Sequence, residues 1–150
     1  MKKLSKVTAL LLVVVSALSF VACSNKYGAL KSAFEKAEWQ ENSSFTGVAE
    51  TIEEELGKEE YEVKFHVFTK KSNGISSAMI IEFKATKELV QAYKDNKMIR
   101  DLVAGVTEDE DVNKMYNALV EKGYAKGNCL IVPMSVVYAS EITDIVKSVK

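Results

Sequence analysis

Residues 60–85 leave this chain the least freedom. In YEVKFHVFT, the apolar Tyr61, Val63, Phe65 and Val67 alternate with Glu62, Lys64 and His66. A period of two suits a half-buried strand and does not fit a helical stripe. KSNG (Lys71 to Gly74) is a turn signal, and ISSAMIIEF resumes the alternation with Ser77, Met79, Ile81 and Phe83. The stretch predicts an antiparallel hairpin.

Helical spacing surrounds this hairpin. Tyr27, Leu30, Phe34 and Ala37 recur on one stripe, predicting a helix that ends near Trp39 to Asn42; Phe45, Val48, Ile52 and Leu56 form a second stripe that stops at Gly57. After Thr86, Leu89, Val90 and Tyr93 share a face continued by Met98, Ile99, Leu102 and Val103, with a break expected at Asp95 and Asn96 and a stop at Gly105. Val112, Met115, Tyr116, Leu119 and Val120 make the next stripe, closed by Gly123. NCLIVPMSVV is apolar without alternation, as in a strand covered on both faces, and Pro133 limits its pairing because proline has no amide N–H. A last helix from about Ser140 to Val149 would bury Ile142, Ile145 and Val146. The expected fold is α+β: a small, mainly antiparallel sheet, made of the hairpin 60–85 and a strand near 128–135, with about five helices on one of its faces.

The first 22 residues differ in kind. Lys2, Lys3 and Lys6 precede an uncharged apolar run, Val7 to Ala22, in the manner of a secretory signal. As a helix this run spans roughly 24 Å, short of the ~30 Å hydrocarbon core that an uncleaved membrane anchor must cross. It ends in FVAC: Phe20, Val21, Ala22, Cys23. The four residues resemble the lipobox of bacterial lipoproteins, with Phe20 where family members usually carry Leu. The resemblance covers only residues 1–23. It implies cleavage between Ala22 and Cys23, and diacylglycerol on the Cys23 sulfur. Two acyl chains on one residue give the double anchor that a single chain does not. Ordinary secretion is the alternative, with cleavage after Ser24 releasing a soluble chain. The expected organisation is a signal peptide over 1–22, lipidated Cys23 with a short tether to residue 26, and one domain over 27–150.

Removing the signal leaves 128 residues, enough for one domain with a buried core. The chain has 20 basic and 21 acidic residues, and three of the basic ones lie in the signal, so the mature part carries −4. That balance gives no electrostatic case for nucleic acid, nor for attraction to anionic lipid, so membrane residence would rest on the acyl group. The two cysteines report on each other. If Cys23 is acylated, Cys129 in NCLIVP is left as a buried, inert thiol; if it is retained unmodified, a bridge between them becomes conceivable.

Candidate chemistry is sparse. Glu108, Asp109, Glu110 and Asp111 lack the internal glycine and alternate oxygen spacing of a calcium loop. Thr107 with Glu110 reads as a capping box. Glu53, Glu54, Glu55, Glu59, Glu60 and Glu62 read as a solvated face, with a cation or basic partner as the sharper alternative. His66 is the only histidine, placed on the polar side of its strand, and no GxSxG nucleophile motif accompanies it. Trp39, with Tyr27 and Phe34, reads as core or as a membrane-interface aromatic, and Phe68 as a contact residue unless a helix covers it. An apolar pocket, if there is one, would draw on Phe83, Tyr93, Met115 and Tyr138. The sequence therefore points to a non-catalytic lipoprotein of the outer face of the cytoplasmic membrane, without cofactor or metal. Its partners would be the membrane and an envelope protein or a small ligand.

Overall fold

A computed structural model describes residues 25–44, 47–58, 61–103 and 111–150. The elements run α1 (Tyr27–Lys36), β1 (Trp39–Glu41), α2 (Gly47–Lys58), β2 (Val63–Lys70), β3 (Ser77–Phe83), α3 (Thr86–Asp95), α4 (Lys97–Leu102), α5 (Val112–Lys122), β4 (Ala125–Lys126), β5 (Cys129–Pro133) and α6 (Ala139–Ser148). The α+β class is as expected. The strands form one sheet in the order β1-β2-β3-β5-β4, every pair antiparallel. The hairpin 60–85 supplies its centre, with Phe65 opposite Ile81 and Val67 opposite Met79. Asn73 shapes the turn by accepting from the amides of Ile75 and Ser76.

Helices cover both faces of the sheet, where one was expected. Val67, Met79, Ile81, Phe83, Leu130 and Val132 point into a core with Ile52, Leu56, Leu89, Tyr93, Ile99 and Leu119 from α2 to α5. The residues between them in each strand, Phe68, Ala78, Ile80, Cys129 and Ile131, pack with Leu30 and Phe34 of α1 and Ile142 and Val146 of α6. The alternation is therefore real, but along β3 both phases are apolar. Ala78, Met79, Ile80 and Ile81 are all buried, as a strand between two helical layers requires.

Two strands escape the sequence pattern. α1 stops at Lys36 rather than continuing to Trp39: Glu38 takes φ 65°, a left-handed turn that reverses the chain, and Trp39 pairs with Lys70 as the start of β1. β4 is two residues long and joins β5 through Gly127 (φ 57°) and Asn128. Met134 N–H bonds Ser77 C=O, so the Pro133 nitrogen points away from β3, beyond the end of β4 where no ladder continues. The break at Asp95 and Asn96 is a cap: the Asn96 side chain accepts from Ile99 N–H and starts α4. Asp111 caps α5, accepting from the amides of Asn113 and Lys114 at 2.9 and 3.3 Å. The expected capping box at Thr107 and Glu110, the stop at Gly105 and the stripe residue Phe45 lie outside the described residues, as do Ala22 and Cys23.

Candidate functional site

The densest polar cluster lies where the described chain begins. His66 sits on β2 beneath Tyr27, the two rings stacked with centroids 3.6 Å apart and planes 18° apart. Each imidazole nitrogen faces a carboxylate: Nδ1 is 2.9 Å from Glu41 Oε1, and Nε2 is 2.9 Å from Glu82 Oε2. Glu41 also accepts from the Tyr27 hydroxyl (2.8 Å) and the Lys31 ammonium (2.7 Å). Glu82 accepts from the Asn25 side chain at 3.1 Å. Beside it, Asn128 accepts from the Lys26 amide at 3.1 Å and donates to Phe83 C=O. Asn25 and Lys26, expected in a short tether, are held to β3 and to the β4–β5 turn.

The electrostatics of this cluster suit a clasp. Burial alone would raise the Glu41 carboxyl, but hydrogen bonds from Lys31, His66 and Tyr27 outweigh it and hold the group down at about 2. Burial, then the hydrogen bond to Glu41, pushes the Tyr27 hydroxyl well above its ordinary range. The side-chain groups here are hydrogen-bonded to one another, which orders the chain start, and Lys31, Glu41 and His66 also line an open cleft with Glu53, Val63 and Phe65. The two carboxylates sit on opposite ring nitrogens, so they cannot converge with His66 on one ion. Among the described residues no group of His, Cys, Asp and Glu side chains is arranged to hold a metal.

The opposite end of the sheet is chemically different. Ile75 in the β2–β3 turn, and Met134, Val136 and Val137 between β5 and α6, are exposed, the two valines by 94% and 86%. Their loops are neighbours: Met134 N–H bonds Ser77 C=O at 3.0 Å, and the Ser135 and Ser76 hydroxyls lie 3.5 Å apart. Isolated exposed aliphatics are ordinary, whereas a group of four on two adjoining loops is a patch. The loops rest on a firm base. Lys70 pairs with Glu141, donates to Ala37 C=O and lies over the rings of Trp39 and Tyr138, and Trp39 Nε1 donates to Glu141 at 2.9 Å.

The remaining candidates fall as follows. Trp39 and Phe34 are fully buried, which removes the membrane-interface reading, and Phe68 packs against Phe34 with ring centroids 5.1 Å apart. Phe83, Tyr93 and Met115 belong to one core and Tyr138 to the other, so these four residues cannot line a common pocket. Cys129 is a free, buried thiol, pushed up to about 12 by burial and then by nearby Glu82. Glu53, Glu54 and Glu55 lie exposed on α2, and Glu62 meets Lys84 across 3.8 Å. Asp111 is committed to its helix cap, and the rest of that acidic run lies outside the described residues. Sequence reading missed the Tyr27–His66 stack and its two carboxylates, because pairing across β1, β2 and β3 creates that neighbourhood. It also missed the aliphatic end, although Val136 and Val137 follow Pro133, where a strand ending was expected. The chain matches no protein-family model, no curated protein and no solved structure.

Proposed function

We propose that this protein is an exported, lipid-anchored binding module: diacylglycerol on Cys23 holds it on the outer face of the cytoplasmic membrane, and its far end receives an envelope protein. The observation that carries this reading is the polarity of the fold. The described chain starts at one end of the sheet, against Glu82 and Asn128, and the exposed aliphatics Ile75, Met134, Val136 and Val137 stand at the other. An anchor at the first end leaves the second pointing away from the bilayer, where an apolar surface meets protein. In this reading the Tyr27–His66–Glu41 cluster serves as a clasp that fixes the anchored end of the chain. The test is a photo-reactive phenylalanine at position 136 in living cells, with position 54 on α2 as control. A protein adduct formed at 136, absent at 54 and abolished by Ile75→Asp supports the reading; no adduct at 136, or the same adducts at both sites, overturns it.

A further inference from the structure

The sheet is incomplete along one side. β1 covers only Phe68, Thr69 and Lys70 of β2, and the chain turns away at Asn42, whose amide bonds Val67 C=O at 2.7 Å. Val63 to His66 pair with β3, and among the described residues no strand lies on their other side. Which backbone groups are left over follows from the alternation of an antiparallel ladder. Val67 C=O and Lys71 N–H bond Asn42 and Glu38 of the β1 segment, whereas Lys70 N–H bonds Ser76 C=O on the β3 side. Odd-numbered residues of β2 therefore turn their backbone groups toward β1, and the N–H and C=O of Val63 and Phe65 point out of the open edge.

A bare edge is a template for any strand, and proteins commonly blunt it. This one is recessed instead. The cleft of about 1120 Å³ along it lies between Lys31 and Glu35 of α1, which covers one face of the sheet, and Ala49, Glu50 and Glu53 of α2, which covers the other. Helices on both sides leave room for one extended chain and obstruct the edge of a second sheet. Four residues opposite 63–66 would span roughly 13 Å. On the α1 side the charges are mixed, and Lys31 is already paired with Glu41. The α2 residues that line the cleft carry only negative charge, on the exposed Glu50 and Glu53, beside the half-buried Val63 and Phe65. Residues of an added strand directly opposite Val63 and Phe65 share their face. A long basic side chain fits there, its stem along the two apolar residues and its cationic head at the two glutamates. We infer that the open edge of β2 receives, in line with β1, an extended segment of a partner protein with lysine or arginine at alternate positions. Backbone hydrogen bonds to Val63 and Phe65 hold the segment, and Glu50 and Glu53 select it. This interface is distinct from the aliphatic tip and does not depend on the anchor.

The test uses the full-length, isotope-labelled chain in mild detergent and a dye-labelled, end-blocked heptapeptide of alternating threonine and lysine. In the free protein the amides of Val63 and Phe65 should exchange rapidly with solvent, while those of Lys64 and His66, which face β3, are protected. The peptide should bind saturably and slow exchange at Val63 and Phe65. Its affinity should fall roughly tenfold in Glu50→Gln/Glu53→Gln, the loss of two exposed charge pairs. A peptide N-methylated along its bonding edge, or one with glutamate in place of lysine, should not bind. Protected Val63 and Phe65 amides in the free protein, or no binding at millimolar peptide, overturn the inference. So does binding that spares the exchange of these two amides or ignores the two glutamates.

Discussion

Replacing Gly123 by alanine should destabilise the domain more than its size suggests. Gly123 ends α5 with φ 82°, in the left-handed region, and a Cβ built there would lie 2.5 Å from the Thr143 carbonyl oxygen and 2.9 Å from Thr143 Cβ on α6. The left-handed conformation costs an L-residue about 1–2 kcal/mol. Displacing a packed backbone costs about 1–3 kcal/mol more, because the obstacle is a helix carbonyl rather than a flexible side chain. Gly123→Ala should therefore lose about 2–5 kcal/mol, a large part of the ~5–15 kcal/mol available to a domain. At about 3–5 °C per kcal/mol for this size, the melting temperature should fall by roughly 6–25 °C. Far-UV circular dichroism melts and urea titrations of the mature protein measure both quantities. Two companions isolate the causes. Gly123→Asn eases the dihedral strain but keeps the clash, and should stay destabilised. Gly57→Ala lies within α2 with nothing inside 4 Å and should gain about 0.5–1 kcal/mol. A Gly123→Ala protein that melts within about 2 °C of the wild type would refute this close approach of α5 and α6.

Three further outcomes are expected. The Glu41 carboxyl is held at about 2 against an ordinary 4.5, so its stabilisation is complete above pH 4.5 and is lost as the pH falls through 2. With its partial exposure discounted, it contributes about 1–2 kcal/mol; urea midpoints across this range should fall less steeply in Glu41→Gln, and parallel profiles would contradict the assignment. The Cys129 thiol is buried and pushed up to about 12; it should resist iodoacetamide at mildly alkaline pH when folded and react at once in urea, and rapid labelling of the native protein would count against its burial. Thr69 is buried and its hydroxyl has no hydrogen-bond partner among the described residues, so Thr69→Val should raise stability by about 1 kcal/mol in urea titrations, and a loss would reveal a partner for the hydroxyl.

The periodic elements were legible where one phase of the pattern was plainly apolar. The β2–β3 hairpin, the break at Asn96, the end of α5 at Gly123 and the helix burying Ile142, Ile145 and Val146 all follow from spacing and from cap or turn residues. β1 was hidden because Trp39 continues the α1 stripe, and only the left-handed Glu38 breaks it. β4 is two residues, too short for a period, though Gly127-Asn128 is a two-residue hairpin signal. The second helical layer was legible in β3, whose Ala78 and Ile80 are as apolar as Met79 and Ile81, but the alternating partner strand β2 suggested a wet face. His66 and Lys70 make β2 look half-solvated, yet Glu41, Glu82 and Glu141 meet them there. The site depends on pairing between distant strands, which spacing along the chain does not encode.

The place of this domain in the cell turns on what stands immediately before Asn25. The most direct measurement is the intact mass of the protein from the membrane fraction, with a peptide map of its N-terminus. A lipid-anchored protein gives a mature chain beginning at Cys23 and carrying the mass of diacylglycerol. An unmodified chain beginning at Asn25, recovered from the medium, would contradict it.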